Sequence, residues 1–197
     1  MIGEGDASDI AYHMPFLEEW ASRSGIIVEI GVGTGTGSTR AFTRGLLRST
    51  VPYDKVHLLV DIDPERPHEK PAHEWWKKID GGSEDPRTAA MVDEIIPGRT
   101  PDIIFIDTIH SHEHMSMEMP IWSRLASPRT LWAFHDTWIW GVYNRMTDAI
   151  KEWTELHTGW EYLDHSRHAH GLGILRHREG PWMDIEPRVE DWPTPQV

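Results

Sequence analysis

Three apolar runs in this 197-residue chain stop on the same kind of residue. Val56–Val60 runs into Asp61, Asp102–Ile106 into Asp107, and Thr130–Phe134 into His135 and Asp136. A fourth run, Ile26–Ile30, stops on a glycine-rich stretch, Gly31–Gly37. Short apolar runs rich in β-branched residues read as strands buried on both faces. Between them lie segments with helical spacing. Ser8–Ser22 carries Ile10, Met14, Leu17 and Ala21 on one stripe, with Ser8 or Asp9 as its cap. Ser38–Arg48, Pro86–Ile96, Glu113–Leu125 and Val142–Leu156 follow, and Pro120 is expected to kink or restart its helix. Trp76–Ile79 adds a short strand, and Trp160–Leu163 with Gly171–Arg176 a closing pair. The alternation predicts an α/β fold, a mainly parallel sheet with helices on both faces. Ligands of such sheets bind at the carboxyl ends of the strands. The polar run ends are therefore expected in one site.

The glycine stretch sits between a strand and a helix start, which is where backbone N–H groups meet a ligand. It is not the dinucleotide fingerprint. Counted from Gly31 the last position is Thr36, and from Gly33 it is Ser38. No Gly-Lys-Ser or Gly-Lys-Thr is present, which excludes a P-loop. Glu29 lies inside the preceding strand, where a carboxylate is costly unless paired. It suits an ammonium group or backbone donors better than a pyrophosphate.

Glu29-x-Gly31-x-Gly33-x-Gly35 resembles motif I of class I S-adenosylmethionine-dependent methyltransferases. The resemblance implies that Glu29, Gly31, Val32, Gly33, Gly35 and Thr36 surround the methionine part of the cofactor. It implies that Asp61, in Leu-Val-Asp-Ile-Asp-Pro, holds the ribose hydroxyls. Gly81-Gly82-Ser83-Glu84-Asp85 resembles the adenine-pocket segment of catechol and related O-methyltransferases, which assigns Ser83 and Glu84 there. Ile103–His110 is similar to the strand-four motif of the same group and of its macrocin O-methyltransferase and cephalosporin-hydroxylase-like branch. By that likeness Asp107 is a metal ligand beside the cofactor, and His110 takes the acceptor proton. His135 and Asp136 then stand where the group carries its other metal pair. Magnesium is the leading ion. The imidazole of His135 also admits Mn²⁺ or another softer ion, unless it faces away and Asp136 ligates alone.

The fold so implied is a single Rossmann-like methyltransferase domain over residues 1–177. Its N-terminal helix spans 8–22 and its core 25–177, with a mostly parallel seven-stranded sheet and an antiparallel last strand. Residues 178–197 form an irregular tail that Trp182 and Trp192 pin down. The implied reaction is methylation of a hydroxyl on a sugar, phenol or natural product. Trp138 and Trp140 are candidates for stacking on the acceptor. The N-terminal helix, the Trp138 region and a partner chain are candidate walls of its pocket, which leaves a homo-oligomer open.

Charge narrows the partners. Lys plus Arg is 19 against 32 for Asp plus Glu, a net −13, so a nucleic-acid or anionic-membrane footprint is not expected. Cysteine is absent, which excludes thiolate metal sites and thiol nucleophiles. The acidic start, Met-Ile-Gly-Glu-Gly-Asp, is unlike a signal peptide, and a cytoplasmic location is expected. One rival reading stays open. His110, His112 and His114 alternate in His-Ser-His-Glu-His and offer a hydrolase-type metal cluster. A non-catalytic cofactor-binding protein is the other alternative. His165, His168 and His170 are expected in solvent.

Overall fold

The computed structural model describes residues 9–33, 35–63, 73–139 and 142–188. Five strands run parallel in the order β3 (Trp76–Asp80), β2 (Val56–Asp61), β1 (Ile26–Ile30), β4 (Ile103–Ile106) and β5 (Leu131–His135). Two more strands, β8 (Trp160–Ser166) and β9 (Leu172–His177), complete the seven-stranded sheet. β9 is antiparallel to both β5 and β8 and lies between them. The Rossmann-like order with an antiparallel last strand is as the sequence implies. The strand order reverses at β1 and β4, which opens a crevice above their carboxyl ends.

Helices cover both faces, so every residue of β1 and β4 is buried. α1 (Asp9–Ser22) and α2 (Ser38–Arg48) pack on one face against Ile27, Ile103, Phe105 and Leu131. α3 (Pro86–Ile95), α4 (His112–Trp122) and α5 (Met146–Leu156) cover the other, over Val28, Ile30, Leu58 and Ile104. Trp122 and Trp132 are fully enclosed in that second layer. Burying side chains of this size contributes about 1.5–3 kcal/mol each. Gly45 of α2 sits against Ala21 and the Glu18 carbonyl of α1, and an added Cβ would overlap both. Local chemistry sets the helix starts. Asp85 accepts from the Arg87 N–H with Pro86 at the first position of α3. Ser111 accepts from the His114 N–H at the start of α4.

Two expectations change. Pro120 lies inside α4 without ending it. The last long helix begins at Met146 rather than Val142, because β6 (Trp138–Ile139) and β7 (Val142–Tyr143) pair as a small antiparallel ribbon. Residues 178–188 carry no helix or strand, and Trp182 holds them to the domain. Trp182 and Ile185 are buried, the Trp182 indole donates to the Arg129 carbonyl, and Arg23 pairs with Asp184. Ser8, the three prolines between 64 and 71, Trp140 and Trp192 lie outside the described residues. None of the helices described is long and apolar enough to cross a membrane.

Candidate active site

The crevice is a cavity of about 720 Å³, within the range of small-molecule sites. Its floor is the loop after β1. Gly31 has φ +81° and faces the Asp107 carbonyl so closely that a Cβ would stand 2.0 Å from it. Only glycine lets this loop cross the tip of β4. Glu29 anchors the loop from beneath. It accepts from Ser38 Oγ at 2.5 Å and Thr39 Oγ1 at 2.9 Å, and lies 2.9 Å from His57 Nε2, all without solvent contact at the carboxylate. Asp61, at the end of β2, accepts from the Gly33 N–H at 2.9 Å and from the Asp63 N–H at 2.8 Å. Each of its oxygens keeps capacity for a further donor.

One end of the cavity is lined by Gly81, Gly82, Ser83, Glu84, Thr108 and His114. A buried network stands behind that wall. His114 Nε2 lies 3.2 Å from Ser83 Oγ and 3.0 Å from Glu118 Oε1, and Thr108 Oγ1 donates to Glu118 Oε2 at 2.9 Å. Burial pushes the Glu118 carboxyl up, against the pull of these partners. Ile62 and Ile109 project from the strand tips into the cavity, 72% and 62% exposed.

At the other end four ionisable groups crowd together. His110 Nε2 is 3.4 Å from Asp107 Oδ1 and 3.3 Å from Asp136 Oδ2. His135 Nδ1 is 3.5 Å from Asp107 Oδ1 and 3.2 Å from Asp136 Oδ1. Burial opposes charge on His135, yet the two carboxylates outweigh it and lift its pKa to about 10. Burial raises Asp107, but the two imidazoles hold it well below the ordinary carboxylate range. Despite these short distances, His110 Nε2, both ring nitrogens of His135 and Asp136 Oδ1 are buried without a well-aligned hydrogen bond. The donor atoms of Asp107, His110 and Asp136 lie within 4.8 Å of one another, as metal ligands do. Asp136 adopts φ +58°, a conformation non-glycine residues hold only under constraint.

The methyltransferase-domain family model matches residues 28–137, which contain the glycine loop, all three polar strand ends and the network behind Ser83. The chain belongs to this family. Among the curated proteins, none matches its sequence. Similar solved structures include the SAH-bound methyltransferase PaMTH1 of Podospora anserina, at 13% identity and a TM-score of 0.63 over 85% of this chain and 78% of that one. The O-methyltransferase NovP aligns at 13% identity and 0.60, over 84% and 79%. MycE of the mycinamycin biosynthetic pathway, solved with Mg and SAH, aligns at 15% and 0.56. There the match covers 88% of this chain but only 55% of MycE.

In this methyltransferase Gly31, Val32, Gly33, Gly35, Thr36, Asp61, Ser83, Glu84, Asp107, His135 and Asp136 all line the cavity. Glu29 does not line it, and its carboxylate lies beneath the loop among Ser38, Thr39 and His57. The His-Ser-His-Glu-His run does not gather on one ion. His110 joins Asp107 and Asp136, His112 pairs with Glu152 of α5 at 2.9 Å, and His114 turns beneath Ser83. Of the second histidine group only His168 is exposed as expected. His165 is buried against Phe16 and Trp20, His168 packs on Tyr12, and His170 lies beside Asp9 and Asp136. Trp138 carries the Arg167 guanidinium 4.1 Å from its ring centre and does not line the cavity. Sequence reasoning missed Asp9, Thr108, Ile62 and Ile109. For the two isoleucines a signal existed, since each follows a polar strand end closely.

Proposed function

We propose that this methyltransferase moves a methyl group from S-adenosylmethionine to a hydroxyl of a small molecule. One observation carries the reading. A single cavity joins the glycine loop and Asp61 to Asp107, His135 and Asp136, and His110, which does not line it, stands against both aspartates. Donor and acceptor oxygen can therefore meet in one space, as in-line transfer demands. The SAH bound in PaMTH1 and MycE supports the donor.

The residues divide the work. Gly31, Val32, Gly33, Gly35 and Thr36 bring backbone against the methionine part, and Asp61 accepts from the ribose hydroxyls. Ile62 and Ile109 clamp the adenine, while Ser83 and Glu84 meet its polar edge. Asp107 and Asp136 fit a divalent cation, because their oxygens converge at the rim and Asp136 Oδ1 is buried without an aligned hydrogen bond, which leaves His110 for the proton. A bound cation supplies Lewis acidity that lowers the pKa of an acceptor hydroxyl. His110 Nε2 receives the hydroxyl proton, a role typically worth about 10²–10⁴-fold. Two adjacent oxygens on the acceptor suit such a centre, so vicinal diols and catechols are the leading acceptors. The magnesium in MycE supports a metal, and the imidazoles here admit Mn²⁺ as well.

The test is SAH formation with a panel of sugars, diols and catechols, with and without EDTA. Turnover on one panel member, lost in EDTA and reduced about 10²-fold or more in His110→Ala with S-adenosylmethionine affinity kept, is expected. Full activity in EDTA would remove the metal. Unchanged turnover in His110→Ala would remove the base.

A further inference from the structure

The rim of the cavity holds more ligand-type atoms than one ion uses. Asp9, the first residue of α1, places a carboxylate oxygen 3.1 Å from His170 Nδ1 of the β8–β9 loop. The same His170 nitrogen is 3.4 Å from Asp136 Oδ1. The donor atoms of Asp9, His135 and Asp136 again lie within 4.8 Å of one another. Asp136 is common to this set and to Asp107–His110–Asp136, and its two oxygens meet different neighbours. Oδ2 turns to His110, and Oδ1 to His135 and His170. A carboxylate so divided is the usual bridge of a two-metal site.

His135 supplies the independent sign of a ligand. It is 3% exposed, and neither ring nitrogen has an aligned hydrogen bond although carboxylate oxygens stand 3.2 and 3.5 Å away. Buried polar groups rarely forgo partners. Groups that converge on a common point, not on each other, have this geometry.

We infer that Asp9, His135, Asp136 and His170 form a second divalent-cation position, bridged through Asp136 to the one beside Asp107. Its mixed nitrogen and oxygen donors favour Mn²⁺, Fe²⁺, Co²⁺ or Zn²⁺ over Mg²⁺. The position belongs to α1 and the β8–β9 loop as much as to β5. It takes the first cation from the proposed function, yet needs no methyl donor.

Equilibrium dialysis of the full chain against Mn²⁺ alone, with metal counted by elemental analysis, tests it. Wild type should hold about two ions per chain with an exchange-coupled Mn²⁺ resonance spectrum. Asp9→Asn and His170→Gln should each hold about one, uncoupled, with unchanged near-ultraviolet dichroism. Asp107→Asn should also lose one. Two ions in both Asp9→Asn and His170→Gln would overturn the second position. One ion in wild type, kept in Asp9→Asn and lost in Asp107→Asn, would overturn it and leave the proposed catalytic cation standing. No bound ion in wild type would overturn both.

Discussion

β4 carries an aspartate at each end, and the two live in opposite surroundings. Asp102, ahead of the strand, accepts from the Gly25 N–H at 2.8 Å, the Ile26 N–H at 2.9 Å and the Tyr53 hydroxyl. Its work is complete inside the fold. Asp107, five residues on, faces two imidazoles, one of them with both nitrogens unaligned, across an open cavity. One end of the sheet satisfies its polar groups, and the other leaves several without an aligned partner. Unsatisfied buried groups cost stability, and proteins keep them where a ligand repays the cost.

Substitutions can break this contrast. Asp107→Asn should lower turnover about 10³-fold, several kcal/mol of transition-state stabilisation, with S-adenosylmethionine affinity changed far less. Steady-state kinetics with isothermal titration separates the two. Glu29→Ala should cost about 3–5 kcal/mol in urea unfolding, because it leaves Ser38, Thr39 and His57 without their shared buried acceptor. A small change would mean that the loop is held elsewhere. Asp102→Ala should cost about 1–3 kcal/mol and leave turnover per folded molecule within about twofold. Burial and the neighbouring carboxylate lift the Tyr53 phenol to about 12, so the same variant should lower it toward its ordinary value in an ultraviolet titration. A loss of turnover in Asp102→Ala as deep as in Asp107→Asn would erase the distinction between the two ends.

The smallest effect is in pH. Burial, then the positive charge of His135, lowers the His13 pKa to about 3, against the hydrogen bond to the Ala169 carbonyl. Between pH 6.5 and about 3 the unfolded chain binds this proton and the folded chain does not. Stability contributed by His13 is full above 6.5 and declines as pH falls, by at most about 1.4 kcal/mol per unit. Denaturant midpoints from pH 7 to 4 should fall less steeply in His13→Gln.

The sheet and its polar strand ends were legible because both follow from short-range pattern. An apolar run that stops on Asp is visible without knowing what it packs against. Asp61, Asp107 and Asp136 could be located that way. The face of Glu29 was legible too. It shares the side of Ile27, which α2 covers, and strand alternation alone turns it from the crevice. The histidines of His-Ser-His-Glu-His diverge because α4 begins at His112, and helical twist turns His112 and His114 apart. Asp9 and His170 were beyond local reading. They meet only because α1 and the β8–β9 loop fold over the same tip of β5, contacts spanning most of the chain.

The account rests on the cavity above β1, β2 and β4 holding the methyl donor through Asp61. Titration of SAH into wild type and Asp61→Ala tests this most directly. Saturable binding in wild type, weakened about tenfold or more in the variant while its unfolding midpoint stays close to that of wild type, is the expected result. Equal affinity in the two proteins, or no binding to wild type, would contradict it.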